Sequence, residues 1–428
     1  MRVLSIITAL TVAGGVMHAQ QRDARIAAAV ERAAPAVIEV RHHLHRQPEL
    51  GNREVETAKL IAERLRALGL DDVRTGIAQT GVVGVLRGGR PGPVVAVRAD
   101  MDALPVTEDT PYPFKSTVRA TYLGQEVGVS HACGHDVHVA IQLGVAEILA
   151  GMRRELPGTV LFVFQPAEEG PPPGEEGGAE LMLAEGVFAD PRPAAVFGLH
   201  TMASMDVGTV GYTPGPALAA VDHFWITIKG RQAHGASPHL SVDPVVMASQ
   251  AVMALQTLRS RNLSPVEPSV VTVGMIHGGE RFNIIPGEVR LEGTVRTYST
   301  TVQDEVERRM RVILAGITAA GGGGFDLTYE RGSPPVINDL ALTDRMLPTL
   351  QRLVGAANVH RLEPAMVGED FSYFANEVPG LYYRLGVQKP GTVSGDHHTP
   401  TFQADDSSIP IGMRVMTALL LDYLEGDR

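Results

Sequence analysis

Apolar residues recur along the first half of the chain with two alternating periods. Ile26, Val30, Val37, Val40 and Leu44 fall at helical spacing across 23–45, and Pro48 ends the pattern. Asn52 reads as the cap of a second helix, with Val55, Ala58, Ala62, Leu65 and Leu68 on one face and Gly69 as its stop. Residues 82–86, 94–99, 160–164 and 195–199 are short continuous apolar runs of the kind that buried strands show, and 137–149 reads as a helix between them. Strands alternating with helices predict an α/β layered domain.

After Gly215 the pattern changes. Residues 221–229 alternate as a strand, 243–258 have helical periodicity, and 269–276 and 289–297 are two further strands. A helix over 302–319 ends at the glycine run 321–324, and 325–329 is a last strand. The order β-α-β-β-α-β is the split-βαβ, ferredoxin-like unit. Helix–strand alternation then resumes. The pattern therefore predicts a small domain over 216–330, inserted into a larger one made of 20–215 and 331–428.

Residues 3–16 form an apolar stretch of 14 residues behind Met1-Arg2. That is too short to span a bilayer and suits the apolar core of a signal peptide, with Met17-His18-Ala19 as an imperfect cleavage site. The expectation is a leader over 1–19 and a secreted or periplasmic protein. A membrane anchor or a buried first helix is the competing reading. No later segment carries eighteen uninterrupted apolar residues, so no membrane association is expected after leader removal.

At 428 residues, 44% hydrophobic and 20% charged, the chain has ample material for a core. A formal charge of −11 with no Lys/Arg-rich run argues against nucleic acid as a partner. One cysteine excludes an internal disulfide framework. The 15 histidines matter more, because several cluster with acids.

Five short segments concentrate metal-ligand types, and sites in open α/β sheets collect at the carboxyl ends of strands. Asp100 and Asp102 follow the strand at 94–99. His131, Cys133, His135 and His138 precede a helix, and the single glycine between Cys133 and His135 lets both converge on one metal region. A thiolate among imidazoles and carboxylates suits zinc and tolerates softer transition ions. Glu168 and Glu169 follow the strand at 160–164; adjacent side chains there point in different directions, so one can ligate metal while the other serves as general base. His200 ends an apolar strand, and His397-His398-Thr399-Pro400 lies in a polar loop.

With RHHLHRQPELG (41–51), RADMDALPV (98–106), HACGHDVHVA (131–140), QPAEEG (165–170), FGLH (197–200), KGRQAHGASPH (229–239), FNIIPGEVRLEGTVRT (282–297), GEDFSYF (368–374) and HHTPTF (397–402), the sequence resembles the dimetal amidohydrolases. That family includes hippurate hydrolases, bacterial N-acyl-amino-acid amidohydrolases and plant auxin-conjugate hydrolases. The resemblance implies a zinc-peptidase-like α/β/α catalytic domain with an inserted ferredoxin-like lid. It implies two divalent ions, zinc first with manganese, cobalt or nickel as alternatives, held by Cys133, His135, Glu169, His200 and His398. His398 is preferred to His397 because the family pattern has a histidine two residues before the proline. Glu168 is then the general base, Asp102 orients a ligand, and His234 on the inserted domain binds the oxyanion. A homodimer through the lid is also compatible with the family.

The chain departs from the family pattern at His42, where arginine is common, at Gly235, where alanine is usual, and across 202–206, which lack the usual proline. The stretch 170–175, with three consecutive prolines, lengthens the loop after the glutamate pair and bears on substrate preference. The expected reaction is hydrolysis of an N-acyl amino acid by a metal-bridged water, with Asn283 and Arg296 receiving the substrate carboxylate. His45 is expected to pack at the end of the first helix. A carboxypeptidase or dipeptidase on the same scaffold, and a non-catalytic metal-dependent binding module, remain as alternatives.

Overall fold

The computed structural model describes the backbone from residue 2 to 426, and side chains from residue 20. In chain order its main elements are α1 (Arg2–Arg46), α2 (Val55–Ala67), β1 (Asp72–Ile77), β2 (Gly81–Arg87), β3 (Arg90–Asp100), α3 (His135–Gly151), β4 (Pro157–Gln165), β5 (Ala195–Asp206) and β6 (Val210–Tyr212). There follow β7 (Ala220–Lys229), α4 (Pro244–Thr257), β8 (Ser269–His277), β9 (Glu288–Thr297), α5 (Thr300–Gly321) and β10 (Gly324–Arg331). The chain closes with α6 (Leu340–Val354), β11 (Val359–Arg361), β12 (Gly380–Gln388) and α7 (Ser408–Glu425). Contacts divide it into two units: Met1–Gly215 with Asn338–Leu362 and Tyr373–Arg428, and Pro216–Ile337 with Glu363–Ser372.

The first unit is built on an eight-stranded sheet in the order β1-β2-β4-β3-β5-β12-β6-β11. Its four central strands, β4, β3, β5 and β12, are mutually parallel. Their buried stretches carry apolar residues on both faces, which is why they read as continuous runs rather than as alternation. Asp100 pairs with Gln165, and Arg98 pairs with Gly198, so Asp100 and His200 reach the same level two residues further on. The parallel register thus lines up the carboxyl ends of β3 and β4 with His200, which sits midway along β5 rather than at its end as the sequence suggested.

Helix α3 has almost no exposed residue, and its apolar side chains run all round it, as a helix enclosed on every side requires. It packs against α1, α7 and β3. Each core residue such as Val137, Ile141 or Leu149 contributes roughly 1.5–3 kcal/mol by leaving water. Gly134 precedes the helix at φ 89°, and a Cβ there would come within 2.5 Å of the Thr201 hydroxyl. Only glycine satisfies both the left-handed backbone and the close approach.

The apolar residues 3–16 are helical. Their backbone is the first part of α1, one helix that runs unbroken to Arg46 and whose later turns bury Ile26, Val30, Val37 and Leu44. The side chains of the expected cleavage site lie outside the described residues. No helix among the described residues is long and apolar enough to cross a membrane. One expectation needs correction here: Asn52 does not cap α2. Its φ is 59°, and the Glu49 carboxylate instead accepts from the main-chain N–H groups of Glu56 and Thr57 at 3.1 and 2.9 Å.

The second unit carries a four-stranded antiparallel sheet in the order β8-β9-β7-β10. Alternating burial along β7 gives this sheet one packed face, closed by α4 and α5 through Phe224, Ile226, Leu255 and Leu314. Asp243 caps α4, accepting from the N–H groups of Val245 and Val246. The fold is α/β, with a ferredoxin-like unit inserted in the larger one.

Candidate metal centre

Four segments of the first unit deliver ligand-type side chains to one place. The turn into α3 brings Cys133 and His135, the exit of β4 brings Glu168 and Glu169, β5 brings His200, and the loop before α7 brings His398. Cys133, His135 and His200 offer ligand atoms within 4.8 Å of one another, as do Cys133, Glu169 and His398, and His135, Glu168 and Glu169. Ala167 at φ 49° and His398 at φ 64° hold left-handed backbone that L side chains rarely adopt, so the surrounding structure imposes both turns.

The donor set fits a metal by what it leaves unpaired. His135 Nε2 and Glu169 Oε1 are buried without a hydrogen-bond partner. Glu169 Oε1 lies 3.1 Å from His398 Nε2 without forming a hydrogen bond, which is how two ligands of a common ion meet. His200 Nε2 faces Cys133 Sγ at 3.4 Å. Buried, unpaired polar atoms cost several kcal/mol unless something pairs with them. A thiol, three imidazoles and a carboxylate suit zinc-like divalent ions.

Electrostatics divide the cluster. Burial pushes the Cys133 thiol up, with the Glu169 carboxylate adding to the shift. Burial, together with Arg384, holds the His200 imidazole well below its usual value. The Cys133 and Glu169 side chains beside it raise His398 to about 10. Burial opposes charge on His135, yet Asp100, Asp102 and Cys133 outweigh it and raise its pKa well above the usual value.

A second ring of residues fixes these ligands. The main-chain oxygen of Asp102 and its Oδ1 lie 2.9 and 3.2 Å from His135 Nδ1, and Asp102 Oδ2 accepts from the Glu169 N–H at 3.0 Å. His200 Nδ1 donates to the Thr201 carbonyl at 2.6 Å. His138 bridges the Asp100 carboxylate at 2.5 Å and the Thr201 N–H at 2.9 Å, while Arg98 donates to Asp100 at 2.6 Å and to Gln165 at 2.8 Å. The three histidines of the second motif therefore have three fates. His135 joins the ligand cluster and His138 braces it. His131 is buried with neither ring nitrogen paired, and burial lowers it to about 4.

His397 turns aside: its Nε2 donates to the Thr201 carbonyl at 3.1 Å, and His398 is the histidine in the cluster. His45 links Asp136 at 2.8 Å to Glu108 at 3.0 Å, and Arg41 Nε donates to the same Asp136 oxygen at 3.0 Å. This buried network grips the residue next to His135. His42 stacks on Phe114 and pairs with Asp406 at 2.8 Å. Sequence reasoning did not single out Glu54, a fully buried carboxylate that accepts from the Ala167 N–H at 2.8 Å and from the Thr80 hydroxyl at 2.6 Å. Burial, with Asp102 nearby, raises it to about 7. Its only sequence signal was an acid beside a motif, which is too common to stand out.

The remaining expected residues belong to the second unit. His234 lies in the short strand Ala233–His234, is exposed, and accepts at Nδ1 from the Ala236 N–H at 3.0 Å. Asn283 Oδ1 and Arg296 Nη1 are buried and have no hydrogen-bond partner.

Residues 96–422 match peptidase family M20/M25/M40. The chain is 38% identical over 377 residues to the N-acetyl-L-cysteine deacetylase of Bacillus subtilis (strain 168), covering 87% of this chain and 84% of that one. It is 35% identical over 391 residues to thermostable carboxypeptidase 2 of Saccharolobus solfataricus, covering 90% and 95%. Among solved structures, the YXEP protein of Bacillus subtilis, described as a dinuclear metal binding peptidase from the M20 family, superposes with a TM-score of 0.79 at 33% identity, covering 92% of this chain and 99% of that one. Relatives of this kind give secretion no support. They correct the expectation of a secreted or periplasmic enzyme. The motif set, the clustered ligands and these matches lead to one conclusion: the chain belongs to peptidase family M20/M25/M40 and is a metal-dependent amidohydrolase.

Proposed function

We propose that the protein cleaves the amide bond of N-acyl amino acids, releasing a carboxylic acid and a free amino acid. The observation that carries this reading is a pair of adjacent carboxylates at one cluster. Glu168 Oε2 and Glu169 Oε1 each stand 3.9 Å from His135 Nε2, and Glu169 Oε1 also lies 3.1 Å from His398 Nε2. A site that only bound metal would need one of them; hydrolysis needs both.

Cys133, His135, Glu169, His200 and His398 would hold two divalent ions, with zinc the best match to the donors. Bound there, the ions would polarise the scissile carbonyl and acidify water. Glu168 takes the proton of the attacking water and returns it to the leaving nitrogen. Asp102 keeps His135 and Glu169 in register. From the second unit, acting as a lid, His234 donates to the developing oxyanion, and Arg296 and Asn283 receive the substrate carboxylate. Burial lowers the Arg296 pKa, opposed by Asp222, so its unpaired Nη1 is a costly group to keep without an anionic ligand. Pairing of two copies through the second unit is also proposed.

The relative named a carboxypeptidase favours a second reading, in which a peptide takes the place of the N-acyl amino acid. A panel of N-acetyl, N-benzoyl and indole-acetyl amino acids, run beside dipeptides with zinc, manganese, cobalt or nickel, separates the two. Turnover confined to dipeptides would overturn the N-acyl reading.

A further inference from the structure

A cavity of about 440 Å³ lies in the first unit, where α1, the segment after β3 and the loop from β12 to α7 come together, and none of the ligand-type residues lines it. Small-molecule sites commonly have volumes of this order. Two of its lining residues belong to a stack of three rings. His42 stacks on Phe114 with centroids 3.8 Å apart, and Phe114 stacks on Tyr112 at 4.6 Å. Arg41 lies over the Phe114 and Tyr112 rings at 5.4 and 5.5 Å. Val393, 88% exposed, adds an apolar side chain to the lining.

The charged groups of the lining differ in how they are used. Arg41 and Asp406 pair with each other, and they also engage Asp136 and His42 respectively. Lys389 and Asp405 stay apart. The Asp405 N–H donates to the Val387 carbonyl at 2.8 Å, which brings Asp405 opposite the end of β12, two residues before Lys389. The two side chains nevertheless form no ion pair. Asp405 uses only Oδ1, which accepts from the N–H and the hydroxyl of Ser407. Among the described residues, the Lys389 ammonium, Asp405 Oδ2 and the Gln403 side-chain amide have no hydrogen-bond partner. Opposite charges held near one another without meeting, with an amide beside them and an apolar wall, are the complement of a small zwitterion.

The same lining connects to the ligand cluster on two sides. Ser394 and Gln403 are the feet of the loop that carries His398. The Ser394 hydroxyl donates to the Gln403 carbonyl at 3.0 Å and accepts from the Gln403 N–H at 2.8 Å, and the Gly395 N–H donates to the Thr401 carbonyl at 3.0 Å. At the tip of this loop the His398 N–H donates to the Ala132 carbonyl, next to Cys133. On the other side, Arg41 Nε donates to Asp136, the neighbour of His135, at 3.0 Å.

We propose that this cavity is a second small-molecule site, which takes a free α-amino acid with a large apolar side chain and couples its binding to the metal centre. Lys389 and the Gln403 amide receive the carboxylate, Asp405 Oδ2 receives the ammonium, and the side chain lies against Tyr112 and Val393. A cavity of ~150 Å³ holds benzene, so a phenylalanine-sized ligand fits with room to spare. An occupant braces the feet of the His398 loop and thereby tightens metal binding; by reciprocity, bound metal favours the occupant. Both reactions considered above release a free amino acid, so the site does not depend on which substrate is cleaved.

The test is calorimetric titration of the zinc-loaded full-length protein with L-phenylalanine. Phenylacetate, which lacks the ammonium, and 2-phenylethylamine, which lacks the carboxylate, should each bind at least tenfold more weakly. Lys389→Met and Asp405→Asn change solvent-accessible groups and should each weaken L-phenylalanine binding at least tenfold. Binding at the metal centre alone would leave both variants titrating as the wild type does, and that result overturns the site. Phenylacetate binding as tightly as L-phenylalanine overturns the zwitterion assignment. Competition with a chromophoric chelator reads the coupling. With L-phenylalanine present at saturation, the wild type should hold zinc at least threefold more tightly than Lys389→Met, and without it the two should be equal. Free amino acid withdraws zinc to the same extent from both, so equal zinc affinities in both conditions overturn the coupling.

Discussion

The Asp102 side chain joins two ligand-type residues that come from different elements. Its Oδ1 lies 3.2 Å from His135 Nδ1, and its Oδ2 accepts from the Glu169 N–H at 3.0 Å. The main-chain oxygen of the same residue accepts a hydrogen bond from His135 Nδ1 at 2.9 Å, which aims Nε2 into the cluster. One residue after β3 thus sets the orientation of a histidine from α3 and a glutamate from the β4 exit.

Asp102→Ala should keep the main-chain bond to His135 and lose both side-chain contacts. Groups that orient metal ligands typically contribute 10–100-fold to metal affinity. Titration against a chromophoric chelator is expected to show a loss in that range. Wild-type affinity would mean that the main-chain bond alone orients the site.

Glu168→Gln should retain metal and fold but lose most turnover, because the amide cannot accept a proton. General-base contributions are about 10²–10⁴-fold. A variant with more than about a tenth of wild-type kcat would remove Glu168 from the base role.

Glu54 makes stability depend on pH. Its folded pKa, about 7, lies above the ordinary 4.5, so between those values the folded state keeps a proton that the unfolded state has released. Stability then falls as pH rises through this window, by on the order of 3 kcal/mol, and stays reduced above it. Glu54→Gln keeps an acceptor for the Ala167 N–H and removes the titration. Urea unfolding from pH 4.5 to 8 should show a shallower fall for the variant than for wild type. Parallel curves would refute the assignment.

His234→Ala should lower kcat by about 10²–10³-fold, as for one lost oxyanion donor. KM should change less, because the bond strengthens chiefly in the transition state. Metal stoichiometry should be unchanged. Loss of metal would instead make His234 a ligand.

The sequence determined by itself what periodicity and short-range chemistry can encode. Continuous apolar runs marked the strands near 82–86, 94–99, 160–164 and 195–199, and α3, α4 and α5 were read as helices, with boundaries shifted by only a few residues. The ligand types were legible too, because Cys133, His135 and the Glu168-Glu169 pair sit in compact motifs beside strand and helix ends. Only tertiary structure could decide matters that depend on partners distant in sequence. Glu49 caps α2, while Asn52, the better cap by type, is drawn to Glu175 and Glu176 across more than 120 residues. The helix read over 23–45 packs on α3 and α7, a placement that its periodicity alone does not give. Glu54, Asp100 and His138 gain their roles from hydrogen bonds to residues 38 to 113 positions away. Such bonds leave no local pattern, because the energy that fixes a buried polar group comes from whichever donor or acceptor the fold brings to it, and sequence spacing does not record that partner.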